Sequence, residues 1–158
     1  MYLVDTNVLS AGAPSRQQAP IDLSAWMERN NAHLYLSVIT VAEVEDGIAK
    51  ARREGAARKA DRLAEWLETL LHLYSARIVP LDIATARPLG RLSDKAHGAG
   101  QAPGLADLAI AATAAHWGYT VLTRNLRHFR ALAVAAHNPF ESLPEEGTQA
   151  RSRTLEPP

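Results

Sequence analysis

The sequence predicts an α/β domain, a Rossmann-like parallel sheet flanked by helices, in a single unit. Three short apolar runs carry that expectation: Tyr2–Val4, residues 34–39 and residues 119–122. None alternates apolar with polar residues, as expected for strands buried on both faces of a sheet. The segments between them repeat their apolar residues at helical spacing, and alternating strands and helices argue for right-handed parallel crossovers. The first run stops at Asp5. In open α/β sheets, ligands bind beyond the carboxyl ends of the strands, so this acid marks the candidate site.

The bulk numbers narrow the function. The chain has 158 residues, 47% of them hydrophobic, enough for one domain with a core. Lys plus Arg equals Asp plus Glu at 17 each, so no global field attracts nucleic acid or an anionic membrane; a nucleic-acid partner needs a local basic patch. Cysteine is absent, which removes disulfides and thiolate metal sites and fits a cytoplasmic setting. The N-terminus lacks a basic region and reaches an acid at position 5, unlike a signal peptide. The longest low-charge stretch, residues 108–123, is interrupted by His116 and Gly118 and is too short to span a bilayer. A soluble chain is expected.

The elements follow in order. Residues 11–20 read as a loop of small, polar and proline residues, and residues 22–29 as a short helix carrying Trp26. After the strand at 34–39, Thr40 and Glu43 form a Thr-x-x-Glu capping pattern that predicts a helix start, with Val41, Val44 and Ile48 as its apolar stripe. Asp46 and Lys50 are spaced as an exposed i,i+4 pair. Gly55 breaks that pattern, and residues 56–74 predict a long amphipathic helix with Leu63, Trp66, Leu67, Leu70, Leu71 and Tyr74 on one face. Lys50, Arg52, Arg53, Arg58, Lys59 and Arg62 cluster around the junction. Residues 78–81 are a brief strand with Pro80 at its end, and Asp82 caps a helix to about His97. A glycine-containing loop leads to a helix of small residues, Leu105–Trp117, closed by Gly118 as its C-cap. A last strand is expected at 132–135, and residues 144–158 form a polar, proline-containing tail expected to be disordered.

Three acids fall at element ends: Asp5 after strand one, Glu43 in the helix after strand two, and Asp107 in the helix before residues 119–122. Asn125 follows that later strand. In a parallel sheet these ends share one edge, so the four side chains can converge. Hard oxygen donors without soft ligands suit Mg²⁺ or Mn²⁺. Unpaired carboxylates would repel, and a divalent cation relieves that while activating water and offsetting charge on a phosphoryl oxygen. Each residue alone has a plainer role. Asp5 serves as a turn residue, Glu43 as a capping acid, Asp107 as a partner of the helix dipole and Asn125 as a turn residue. The basic cluster alone reads as a solvated face, and the tryptophans as core. Coincidence of position, not any single residue, makes the case.

The pattern resembles PIN-domain ribonucleases, especially toxins of the VapC type and their FitB-like branch. The matching stretches are residues 2–10 (YLVDTNVLS), residues 34–47 (LYLSVITVAEVEDG), Ala106 and Asp107 with residues 110–114, residues 123–125 with His128 and Phe129, and residues 138–141 (NPFE). Order and spacing agree over residues 1–143. The resemblance implies a metal-dependent endoribonuclease held in check by a cognate antitoxin, and a homodimer. Asp5, Glu43 and Asp107 match the family's acidic metal positions, and Asn125 stands where many members carry a fourth acid. Asp5 and Asp107 would hold Mg²⁺ or Mn²⁺, with Glu43 completing the site or orienting water and Asn125 positioning water or phosphate. Thr6, Asn7 and Thr123 are supporting hydrogen-bond partners, and Arg124, Lys50 and Arg53 are candidate RNA contacts. Asp46 and Glu45 depart from the family's usual apolar or basic residues.

Two alternatives remain open from sequence. Residues 3–9 approach the Asp-x-Asp-x-Thr/Val pattern of haloacid-dehalogenase phosphatases, with Asn7 in place of the second acid. The same fold also suits a module that binds RNA or protein without turnover.

Overall fold

The computed structural model describes residues 1–14 and 20–145. Five strands form one parallel sheet in the order β3-β2-β1-β4-β5. They are β1 (Tyr2–Val4), β2 (Leu34–Ser37), β3 (Ile78–Val79), β4 (Thr120–Leu122) and β5 (Ala136–His137). The first strand is central. The chain builds outward through β2 and β3 on one side, then returns to lay β4 against β1 on the other. The strand order therefore reverses between β1 and β4, the place where open parallel sheets leave a crevice.

The pleat sends successive residues to opposite faces and makes two cores. Val4, Leu34, Leu36 and Leu122 face one core, with Trp26, Val44, Ile48, Leu67 and Leu70 from α2 (Ile21–Arg29), α3 (Val38–Arg53) and α4 (Ala57–Leu73). Leu3, Val79 and Val121 face the other, with Ala96, Ile110, Ala111, Ala114 and Phe129 from α5 (Ile83–Gly98), α6 (Leu105–Trp117) and α7 (Leu126–Ala131). The small residues of α6 are buried nearly all round, which lets it lie close under the sheet. A single-turn helix, α1 (Thr6–Leu9), follows directly on β1.

Several expectations are corrected. The second strand ends at Ser37, and α3 begins at Val38 with the Ser37 hydroxyl accepting from the Ile39 N–H at 3.1 Å. The β-branched pair Val38 and Ile39 mimics strand, yet Ser37 is itself a good N-cap. Thr40 is therefore inside the helix, where its hydroxyl donates to the Val4 carbonyl at 3.4 Å, and the Thr40–Glu43 capping box is not formed. Lys50 pairs with Glu54 at 3.9 Å, and the expected Asp46–Lys50 pair is absent among the described residues. Residues 132–135 are not a strand. Leu132 and Val134 are core residues in the turn after α7, and the last strand is Ala136–His137. A two-residue edge strand carries too few positions to show a period, and neither α1 nor α7 is long enough to announce itself.

The other helices stand close to their expected positions; the third strand is shorter than expected, ending at Val79 before Pro80, and Ser10–Gly12 is a helical turn at the start of the expected loop. Asp82 caps α5 through a reciprocal pair of bonds with Thr85, and Gly118 closes α6 at φ +69°. Pro144, where the expected tail begins, is buried and accepts a hydrogen bond from the Trp26 indole at 3.2 Å. Residues 15–19 of the expected loop and 146–158 of the tail lie outside the described residues. Among the described residues no helix is long and apolar enough to cross a membrane.

Gly118, in the left-handed conformation, turns the chain from α6 toward β4. Space around its Cβ position is open, so only the backbone opposes a side chain there. Gly118→Ala is expected to destabilise the fold by about 1 kcal/mol, from left-handed strain partly offset in the unfolded chain. Urea unfolding checks this, and unchanged stability would contradict the assignment.

Candidate active site

Asp5 stands at the carboxyl end of β1, in the crevice between β1 and β4. It is 5% exposed. Its backbone N–H donates to the Leu122 carbonyl, continuing the ladder one residue past the strand. Two side chains donate to the same carboxylate oxygen, Oδ2: Asn7 Nδ2 at 2.5 Å and Thr123 Oγ1 at 2.6 Å. Asn7 also donates to Thr123 Oγ1 at 3.1 Å and accepts from the Arg124 N–H at 3.0 Å. Asn7 is thus a clamp between the exits of β1 and β4.

Glu43 reaches the site from α3. Because Ser37 caps α3, Glu43 is freed from any capping role, and its Oε2 accepts from the Thr6 hydroxyl on α1. Asp107 lies in the first turn of α6, and its Oδ2 meets His128 Nδ1 at 2.8 Å. Burial pushes the Asp5 carboxyl above the usual carboxylate range; Thr123 opposes this, the charge of Glu43 adds to it, the Thr6 backbone N–H opposes it and the charge of Asp107 adds to it. The three sequence-predicted acids therefore share one field.

Asn125 is exposed just beyond Thr123, and its backbone N–H donates to Thr123 Oγ1 at 2.9 Å. Its side chain makes no hydrogen bond to the three acids. The exposed Arg124 guanidinium lies 3.7 Å over the Phe140 ring. Two grooves meet at Thr6 and Glu43. One, of about 550 Å³, is walled by Ile39, Ala42, Leu81, Leu105 and Asp46. The other, of about 330 Å³, is walled by Ser10, Lys50, Glu54 and Lys59. Arg53 is exposed on α3 and lines neither.

Residues 2–135 match the PIN domain family. The chain belongs to that family. Toxin FitB of Neisseria gonorrhoeae is 37% identical over 142 residues, spanning 89% of this chain and 99% of its own. A VapC ribonuclease, Y4jK of Sinorhizobium fredii, is 34% identical over 146 residues, spanning 89% and 99%. The crystal structure of FitAcB from Neisseria gonorrhoeae superposes with a TM-score of 0.77 at 37% identity, covering 89% of this chain and 99% of the other. Membership sets aside the phosphatase alternative. Asn7, standing where that pattern needs a second acid, is the amide that holds Asp5.

PIN-domain nucleases generally depend on a divalent metal. The donor chemistry here fits one: three carboxylates, hard oxygen ligands only, with Asp5 buried against the charges of the other two. Each acid is tethered through one oxygen, and its second oxygen takes no side-chain hydrogen bond among the described residues. As placed, no three Asp, Glu or His side chains among the described residues stand close enough to hold one ion.

Of the residues that sequence reasoning placed here, the structure bonds Asp5 to Asn7 and Thr123, and Glu43 to Thr6, while Asp107 is bonded to His128 and acts on Asp5 through its charge. Sequence reasoning missed the His128 contact, whose signal lay in the six-residue α7.

Burial makes the folded chain hold a proton on Asp5 that the unfolded chain releases. Ionisation of Asp5 thus opposes folding increasingly as pH rises past about 3.9. Without added metal, Asp5→Asn is expected to melt above wild type at pH 7.5, with the gap closing toward pH 4. Thermal melts across that range check it; a gap that widens on acidification contradicts the burial assignment.

Proposed function

We propose that this chain is a Mg²⁺- or Mn²⁺-dependent endoribonuclease, the toxin of a type II toxin–antitoxin pair. The observation that carries the reading is the convergence on one switch-point crevice of Asp5, Glu43 and Asp107, each anchored by a donor from another element. Relatives named as a toxin and as a ribonuclease, matched along nearly their whole length, support it.

Asp5, Glu43 and Asp107 would hold the cation. When bound, it supplies a lowered pKa for water and offsets charge on the phosphoryl oxygen. Thr123 and Asn7 aim Asp5, replacing water as hydrogen-bond donors in a buried place, and Thr123 opposes the upward pull of burial on its carboxyl. Glu43 accepts a hydrogen bond from the attacking water and orients it. The Asn125 amide, on the rim, donates to a phosphate oxygen. Lys50, Arg53 and Arg124 are exposed for the RNA backbone, and Lys50 walls the groove that leads to Glu43. Water attacks phosphorus and the P–O3′ bond breaks, as the family resemblance implies; the 3′ oxygen leaves and takes a proton, giving 5′-phosphate and 3′-hydroxyl ends. A cognate antitoxin blocks the pocket with a cationic side chain, since arginine pairs with two carboxylates where the metal would sit. Such a pair acts in the cytoplasm, where its RNA is.

A homodimer uses the apolar rim at the starts of α3, α5 and α6. Val38 is 37% exposed, Leu81 37%, Ile83 81% and Leu105 71%, an unusual concentration for free surface. Ile83→Glu is expected to shift sedimentation from dimer to monomer; an unchanged dimer places the interface elsewhere.

The deciding experiment incubates purified wild type and Asp5→Asn with total RNA in Mg²⁺, Mn²⁺ or EDTA, after bound partner is stripped. Discrete cuts that need metal and Asp5, with 5′-phosphate ends, are expected. Products ending in 2′,3′-cyclic phosphate overturn the mechanism. Tight, metal-independent RNA binding without any cut favours a binding module instead.

A further inference from the structure

The third acid differs from the other two in what holds it. Asp5 is held by an amide and a hydroxyl, Glu43 by a hydroxyl, and Asp107 by an imidazole. His128 sits on α7, one short helix beyond Thr123, and its Nδ1 lies 2.8 Å from Asp107 Oδ2 with both side chains about a quarter to a third exposed. A carboxylate only accepts, so the hydrogen is on Nδ1. The contact occupies one oxygen of Asp107 and leaves Oδ1 without a side-chain partner, repeating the single-oxygen anchoring of Asp5 and Glu43.

We propose that His128 is a positioning residue of the active site: it fixes the rotation of Asp107 and presents the free oxygen as a metal ligand. The inference rests on the metal-dependent reading above. Groups that anchor a ligating carboxylate move metal affinity by about 10- to 100-fold when removed. A role confined to packing α7 on α6 would change stability and leave metal affinity alone. Asn at this position carries its amide nitrogen at the place of Nδ1, so it restores the donor without the ring.

The test measures Mn²⁺ binding to the full chain by isothermal titration, alongside cleavage rate as a function of Mn²⁺ concentration. His128→Ala is expected to weaken Mn²⁺ binding about 10- to 100-fold. Its maximal cleavage rate recovers more than its affinity as Mn²⁺ is raised, and His128→Asn returns most of the affinity. Wild-type affinity in His128→Ala, or an Asn variant as weak as Ala, overturns the proposal while leaving the nuclease reading intact. Absence of Mn²⁺ binding in wild type itself overturns both. Should His128→Ala fail to fold, ¹⁵N spectra of wild type at pH 8 decide, with the His128 signal assigned through His128→Asn. Hydrogen on Nδ1 is expected, and hydrogen on Nε2 overturns the proposal.

Discussion

A carboxylate buried at the end of the central strand is the constraint on which the rest depends. Asp5 is as deeply placed as the core residues beside it, and burial of a charge is unfavourable unless donors replace the lost water. Thr123, Asn7 and the Thr6 N–H are those donors. Two of them are on the same β1–α1 link as Asp5, and the third requires that β4 end level with β1. The pairing of Val4 with Leu122 provides that level. Sheet register and site chemistry are therefore one requirement.

The remaining acids arrive from opposite layers. Glu43 comes from the helix that covers one face of the sheet and Asp107 from the helix that covers the other, so the crevice is charged from both sides. Each carboxylate is restrained at a single oxygen, which fixes its place yet keeps a lone pair available. This arrangement trades intrinsic stability for affinity toward positive charge, whether that charge is a metal or a partner's cation. Glu43 is also the ridge between an apolar groove and a lysine-lined one, so a molecule reaching the acids meets two different surfaces on either side of α3.

Much of this was legible in the residues. Unalternating apolar runs gave β1, β2 and β4, and Gly118, Asp82 and the long stripe of α4 set the helix limits closely. The acids could be placed because strand ends in a parallel sheet share an edge. What misled was local. Val38 and Ile39 have strand-like side chains in a helix, because Ser37 can cap and the sheet has no further partner for them. Leu132 and Val134 are apolar because they fill the core from a turn. His128 was noted only within a matching stretch, and its contact with Asp107 could not be read because it depends on α7, a helix too short to leave a period.

The clamp across the sheet also orders events in time. Thr123 and Asp5 are 118 positions apart in the chain. During synthesis the N-terminal strand emerges first, while the domain itself folds as a unit. Asp5, Asn7, Thr6 and Glu43 are then present without β4, and the crevice has one wall. The buried carboxylate acquires its anchoring hydroxyl only after about four-fifths of the chain has left the ribosome. Until β4 is in place Asp5 lacks its Thr123 partner, so the order in which the chain is made delays assembly of the crevice.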